Sequence, residues 1–341
     1  MRRSTASRAP AMADVAALAG VSVPTVSRVV QGTVPVSDEK RERVLAAIEQ
    51  LDYRPSAAAR ALAHGRSNIV GVFAAQASAY GYAATIEGVH HESRRNGWTV
   101  AVGLLGSGTG DDEAALQRAL DPILTQRLVG AVVIGFDPIA FDAIPLLRRH
   151  HRVVVAAASP SDAPGDDQVH LDDYVGAYEA TTHLLGLGHR TVHHVAAPGA
   201  QLETGRAGGW RAALVDAGVD EVPEPWHVSW DPAEARQVGL TVPADGSITA
   251  VLCGNDEIAV GFMRGLGERG VRVPDDISVV GFDDHPLSAL LTPSLSTVRL
   301  DFEALGARAA ALLAADPTAR ATSAVDPRLM IRESVRRIGP A

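Results

Sequence analysis

The sequence predicts a small all-α head followed by an α/β core of two doubly wound parallel-sheet subdomains. Three observations carry that expectation. Residues 12–55 read as three short helices with apolar residues at helical spacing and tight turns between them. From residue 68 onward, apolar runs of strand length alternate with amphipathic segments, the pattern of parallel sheets covered on both faces. That alternation comes as two successive series. With 341 residues and 46% hydrophobic content, the chain can bury a core in each part, which excludes a largely disordered protein.

In the head, Met12 to Ala19 forms a short helix with Val15, Ala16, Leu18 and Ala19 apolar. Gly20 ends it, as glycine does where a helix closes in a left-handed turn. Ser22 can cap a second helix, and Pro24 falls in its first turn, where a missing N–H costs nothing. Val26, Val29 and Val30 give that helix a buried stripe. Two helices joined by a glycine turn are a helix-turn-helix, with Ala16 small enough for the crossing and Val26 as the apolar plug. A third helix starts at the N-cap Ser37, with Asp38 and Glu39 at its positive end. Val44, Leu45, Ile48 and Leu51 form its expected buried face, and Tyr53-Arg54-Pro55 ends it.

Charge separates the head from the rest. Residues 1–66 hold ten Lys+Arg against six Asp+Glu, a net +4 within a chain of net −9; the remainder, with 21 against 34, carries −13. A basic head on an acidic body fits a nucleic-acid partner for the head and a different task for the body. The exposed face of the second helix offers Val23, Pro24, Thr25, Ser27 and Arg28: small groups able to approach bases or phosphates, and one arginine suited to guanine. Residues 56–67 have high helix propensity but too little length to be helical alone. They read as a plain alanine linker or as a hinge helix whose Leu62 wedges into a minor groove.

The motif Asp14-Val-Ala-x-x-Ala-Gly-Val-Ser-x-x-Thr-Val-Ser-Arg-Val-Val, with Val36-Ser, Tyr53-Arg-Pro and Ala61-Leu-Ala, resembles the LacI family of bacterial transcription regulators. The resemblance implies that the second helix lies in a major groove. Val23, Pro24 and Arg28 would then read bases, Thr25 and Ser27 hold phosphates, and Leu62 and Ala63 form the minor-groove wedge. Val23 and Pro24 bring no side-chain hydrogen bonds, so selection there would rest on apolar contact, for example with thymine methyls.

In the body, strands are expected at residues 68–73, 99–105, 130–134 and 152–156, with helices at 83–96 and 112–126 between them. A second series adds helices at 176–186, 205–218 and 257–270 and strands at 192–197, near Val228, at 250–253 and at 277–282. The expected organisation is a head at 1–55, a hinge at 56–67 and a core at 68–341. Within the core, one subdomain takes about 68–170 plus 300–322 and the other about 171–298 plus 323–341. The LacI resemblance extends through Gly186-Leu-Gly-His-Arg190, Arg206-x-x-Gly-Trp210, Asn255-Asp-Glu-Ile-Ala-Val-Gly261 and Val273 to Asp284, and through Leu295-Ser-Thr-Val-Arg299. It implies a core similar to periplasmic sugar-binding proteins, which close around a ligand.

Ligands of such sheets bind at the carboxyl ends of strands. Arg206 precedes a helix and Asp283 ends a strand, and an Arg and an Asp on opposite walls can grip neighbouring sugar hydroxyls. Asn255 and Asp256 end another strand, Trp230 can stack on a sugar, and Phe302 with Tyr80 or Tyr82 can line the apolar side. Ion pairing, helix capping and ordinary packing are the alternative roles for the same residues. After Val153-Val-Val the family often carries a polar ligand contact, whereas this chain reads Ala156-Ala-Ala158, which weakens any transfer of ligand identity.

Other signals carry less. His193 and His194 are adjacent on a strand and point to opposite faces, so no metal site is expected. Gly106-Ser-Gly-Thr-Gly110 lacks the third glycine of a nucleotide fingerprint, and the lone lysine, Lys40, follows no phosphate loop. No catalytic constellation stands out and no cofactor is expected. The expectation is therefore a repressor, not an enzyme. It would bind a palindromic double-stranded operator as a homodimer, controlled by a small molecule, a sugar or related metabolite, between the subdomains. A single cysteine, Cys253, and the lack of a signal-like or membrane-length apolar run favour a cytoplasmic, nucleoid-associated protein without a membrane partner. The short C-terminus after Ile338 favours a dimer over a tetramer. A sugar receptor without DNA function and an enzyme on a doubly wound fold are the competing readings.

Overall fold

The computed structural model describes residues 10–31, 35–53, 67–106, 113–159, 167–198, 203–316 and 322–339. The chain divides into two units between Ser67 and Asn68.

The first unit contains α1 (Met12–Ala19), α2 (Val23–Gln31) and α3 (Asp38–Gln50). Gly20 sits in the left-handed region at φ 62° and ψ 40°, and its neighbour's amide, Val21 N–H, donates 3.0 Å back to the Ala16 carbonyl. The chain turns through 104° from α1 to α2, within the range of a helix-turn-helix. Val15, Val26 and Val44, one from each helix, are fully buried and meet in a core completed by Ala16, Ala19, Val29, Ala47 and Tyr53. Two expectations are corrected. Leu45 is 52% exposed; stepping three and four residues from Val44 lands on Ala47 and Ile48 instead, and Leu45 lies about 100° round the helix. Ser37 stands at the N-cap of α3 but its hydroxyl makes no cap bond, so Asp38 and Glu39 meet the helix's positive end.

The second unit contains two sheets. The first is formed by β1 (Ile69–Ala74), β2 (Thr99–Leu104), β3 (Gly130–Gly135), β4 (Val153–Ala157), β5 (Asp167–Leu171) and β11 (Thr322–Val325). The second is formed by β6 (His193–Ala196), β7 (Trp226–His227), β8 (Ala250–Cys253), β9 (Ser278–Asp283), β10 (Ser296–Arg299) and β12 (Arg328–Met330). Their orders, β11-β5-β4-β3-β1-β2 and β12-β10-β9-β8-β6-β7, are the same doubly wound order used twice. All pairings are parallel except β10 with β12. In the first sheet β3 is buried along its whole length, which is why its Gly-Ala-Val-Val-Ile-Gly reads as continuously apolar.

The helices are α4 (Tyr80–Arg95), α5 (Glu113–Leu124), α6 (Pro138–Arg148), α7 (Asp173–Gly186), α8 (Gly205–Asp216), α9 (Pro232–Thr241), α10 (Asp256–Glu268) and α11 (Phe302–Ala314). Helices α4 and α11 approach closely through facing glycines. A Cβ on Gly88 would lie 2.0 Å from the Glu303 carbonyl oxygen, and one on Gly306 would lie 2.0 Å from that of Thr85.

The chain passes between the two sheets after β5, after β10 and after β11. Two of these passages carry an aspartate that caps the next helix: Asp172 accepts from Val175 N–H at 3.1 Å and Asp301 from Ala304 N–H at 2.8 Å. The last passage differs from the expected 322/323 boundary. β11 pairs in parallel with β5, Thr322 opposite Gln168 through Val325 opposite Leu171, so the chain crosses at 326–327. A four-residue edge strand with three of its positions at least partly exposed is too short and too polar to be seen as a strand in advance.

Candidate functional site

Two sites emerge, one in each unit. In the head, the buried stripe of α2 fixes which side of the helix remains outside. Val23 (42% exposed), Pro24 and Arg28 are exposed, and Thr25 and Ser27 lie at the margin. The Thr25 hydroxyl lies 2.9 Å from that of Ser22, which joins the first turn of α2 to the loop before it. This is a small, mostly uncharged face with one long multidentate donor. Leu62 and Ala63, the expected wedge, lie outside the described residues.

In the core, each sheet reverses its order beside its first strand, between β1 and β3 and between β6 and β8, and the two reversals face each other. A cavity of about 210 Å³ lies between them, lined from the loops after β1, β3 and β4 on one side and after β6, β8 and β9 on the other. This is where open α/β sheets bind ligands. Its size suits a small metabolite better than a drug-sized molecule, which needs roughly 300 Å³ or more.

The first wall is aromatic and sparsely polar. Tyr82, Phe136 and Phe302 form an edge-to-face chain, with centroids 5.0 Å apart for Tyr82 and Phe136 and 5.7 Å apart for Phe136 and Phe302. Gln76 and Ser159 supply polar groups beside them. The expected departure at Ala156-Ala-Ala158 falls here: Ala158 lines the cavity without a polar side chain, and the hydroxyl of Ser159 follows it.

The second wall is charged. Arg206, in the first turn of α8, donates from Nε to Asp173 Oδ2 at 2.8 Å and from Nη1 to the Gly254 carbonyl, and its Nη2 lies 2.9 Å from Asp283 Oδ1. Its guanidinium also covers the Phe282 ring, 4.2 Å from the centroid. Three of the five N–H groups of an arginine are thereby engaged, and the remaining two are held in place for a ligand. Burial works against its charge, but Asp173 and Asp283 outweigh that and raise its pKa. Burial also raises the Asp283 carboxyl, to about 7, with Arg206 opposing. Asp283 and Asp284 both have positive φ, 100° and 55°. Asp284 is held there by Arg299 at 2.6 Å and Arg332 at 2.5 Å. Backbone strain of this kind, fixed by its surroundings, is characteristic of working sites.

The structure corrects several expectations about the cleft. Arg206 and Asp283 stand on the same wall, because α8 and β9 both belong to the second subdomain, so they grip as a pre-formed pair and not as opposing jaws. Asp256 does not face the cavity. Its carboxylate is 2% exposed and accepts from His285 N–H at 2.7 Å, Ser288 Oγ at 2.6 Å and Thr297 Oγ1 at 2.5 Å, tying α10 to the strands behind it. Tyr80 points away into a neighbouring groove, edge-on to His285 and Phe302. Asn255 lines the cavity but its Oδ1 also caps α10, accepting from Ile258 N–H at 2.8 Å. Trp230 stands at the cavity mouth, its Nε1 donating across the cleft to Asp137 Oδ1 at 3.2 Å, while Tyr82 donates its hydroxyl hydrogen to the other oxygen of Asp137. Asp173, His194, Ser159 and Asp137 were not foreseen. Asp173 and Ser159 follow strands as Asp283 does, so the same strand-end rule reaches them.

A helix-turn-helix head joined to a doubly wound pair of sheets with a ligand-sized cleft defines a class: regulators with a periplasmic-binding-protein-like core. Family profiles agree in both parts, the lacI family of bacterial regulatory proteins matching residues 11–56 and the periplasmic binding protein-like domain matching 181–335. The chain is similar to the HTH-type transcriptional repressor PurR of Erwinia tasmaniensis, 34% identical over 335 residues, covering 94% of this chain and 96% of the relative. The PurR of Mannheimia succiniciproducens is 31% identical over 334 residues, covering 95% and 98%. Among solved structures, the lac repressor dimer bound to operator and the anti-inducer ONPF matches with TM-score 0.85 at 27% identity, covering 96% of this chain and 100% of that one. The CelR–cellobiose complex matches with TM-score 0.66 at 27% identity, covering 95% and 99%. The chain belongs to the LacI family of bacterial transcription regulators. These relatives are transcriptional regulators, not enzymes.

Proposed function

We propose that the chain is a ligand-controlled, sequence-specific DNA-binding repressor that grips a palindromic operator as a homodimer. The observation that carries this reading is the coexistence in one chain of a helix-turn-helix with an open polar face and a cleft built at two facing switch points. One short recognition helix reads few base pairs, so two heads on a two-fold operator supply the rest. On the head, Arg28 takes guanine, Val23 and Pro24 meet bases by apolar contact, and Thr25 and Ser27 hold phosphates; Leu62 and Ala63 form the wedge between the heads. In the cleft, the effector is a small metabolite, a sugar or a related molecule. Arg206, Asp283 and Asn255 bind its polar edge, and Tyr82, Phe302 and Trp230 bind its apolar face. The lac repressor and CelR structures, with their bound small molecules, support an effector role for the cleft.

Control follows by population shift: a molecule that binds one angle between the subdomains better than another changes the spacing of the two hinges and hence the grip on DNA. Such a protein works in the cytoplasm on the bacterial nucleoid. The test is selection of genomic fragments by the purified protein, followed by footprinting. Protection of a two-fold symmetric site is expected. Binding that stays indifferent to sequence would overturn the proposal.

A further inference from the structure

His194 lies on β6 at the cleft floor, 1% exposed, its ring 5.3 Å from that of Trp210. Its Nδ1 is 2.8 Å from the Leu252 carbonyl oxygen. A carbonyl only accepts, so Nδ1 carries the hydrogen. Burial keeps the ring neutral by pushing its pKa down to about 4. Nε2 is therefore a bare lone pair, and no protein donor reaches it. Asp173 is 3% exposed; one oxygen takes the Arg206 Nε hydrogen bond and the other, Oδ1, has no donor. Asp283 Oδ1 has the charge of Arg206 Nη2 at 2.9 Å but no aligned hydrogen bond. Three buried acceptors thus look for donors on one wall. Buried acceptors of this kind are costly when left bare, so native proteins pair them with protein, water or ligand. Asn255 Nδ2 is not available to them, being turned to Glu257 Oε2 at 3.1 Å. The carboxylates of Asp173, Asp283 and Glu257 face a single guanidinium on this wall.

We propose that the effector is a neutral or cationic molecule that turns O–H or N–H donors, and no anionic group, toward this wall, with one donor seated on His194 Nε2. This rests on the cleft being the effector site. His194 then determines specificity, because a ligand group that cannot donate leaves its lone pair buried and bare. A carboxylate or phosphate would meet three acceptors and an excess of negative charge.

The experiment is a thermal-shift and calorimetric panel on the full chain, using matched sets: glucose, glucosamine and glucuronate; galactose, galactosamine and galacturonate; adenine, hypoxanthine and orotate. A stabilising ligand is expected among the neutral and amino members. For that ligand, His194→Leu should weaken binding about 10- to 100-fold, and His194→Gln, whose amide oxygen accepts, should recover part of the loss. Circular dichroism of the ligand-free variants establishes that they fold. A carboxylate that binds more tightly than its neutral counterpart overturns the proposal, as does a His194→Leu protein that holds the ligand as tightly as the native chain. A panel in which nothing binds, with operator DNA still recognised, overturns this ligand class and leaves the DNA-reading proposal standing.

Discussion

Arg28 and Asp283 are the residues on which most depends. Arg28 is the one long donor on an otherwise short recognition face, so its role is a matter of reach. Arg28→Ala should lose about 1–3 kcal/mol of discrimination at one base position while leaving weak binding to other DNA in place. Fluorescence anisotropy against single-base operator variants measures both. Asp283 makes a pH prediction. Burial raises its carboxyl to about 7, and burial raises that of Asp256 to about 6, whereas both titrate near about 3.9 in an unfolded chain. Between those values the folded core keeps protons that the unfolded chain has lost, so stability falls as pH rises from about 4 to about 7. Urea unfolding at about pH 5 and about pH 7.5 should show that fall, and Asp283→Asn should flatten it. Stability that instead rises across this window would mean that Arg206 holds Asp283 charged. Residue identities were legible where a rule of position applied: Arg206, Asn255 and Asp283 stand at strand or helix ends and do line the cavity. Asp256 obeys the same rule but its side chain turns inward, a choice made by Ser288 and Thr297 from distant parts of the chain.

At the scale of elements, the head was readable because each helix carries its own start, stop and stripe. In the core, β1, β3 and β4 were readable as apolar runs. Others were not. Helix α6 holds Pro145 inside it, which interrupts the helical pattern, and β7 is two residues long and stands out from its surroundings only through its pairing with β6. The strain-free contact of α4 with α11 depends on Gly88 and Gly306. Gly88→Ala places a Cβ against the Glu303 carbonyl and should cost about 1–3 kcal/mol of core stability, read as a lower urea midpoint. The loop between β7 and α9 meets the first subdomain through the Trp230–Asp137 hydrogen bond. Asp137 has an N-cap position on α6 but makes no cap bond, its carboxylate serving Tyr82 and Trp230 instead. Trp230→Phe keeps the ring and removes the donor. Faster amide hydrogen exchange in the 228–231 loop is expected, and unchanged exchange would show that the bond does not hold the cleft mouth.

For the whole molecule, the doubled sheet order explains why there is a cleft at all: each sheet puts its switch point at one end, and three passages of chain hold the ends face to face. Within the core, only the short passages at 172, 300–301 and 326–327 have to bend for the walls to move. The sequence pattern revealed two series of strands but not where the chain returns, because β11 and β12 are marginal on their own and exist through pairing. If cleft and DNA are coupled, an effector should change operator affinity by about 5- to 150-fold, and operator should change effector affinity by the same factor. The most direct measurement is operator binding by the full chain against an excess of unrelated DNA, followed across salt. The account predicts selective binding to a two-fold symmetric site, falling steeply and linearly in log–log form as salt rises. Equal affinity for operator and competitor at every salt concentration would contradict it.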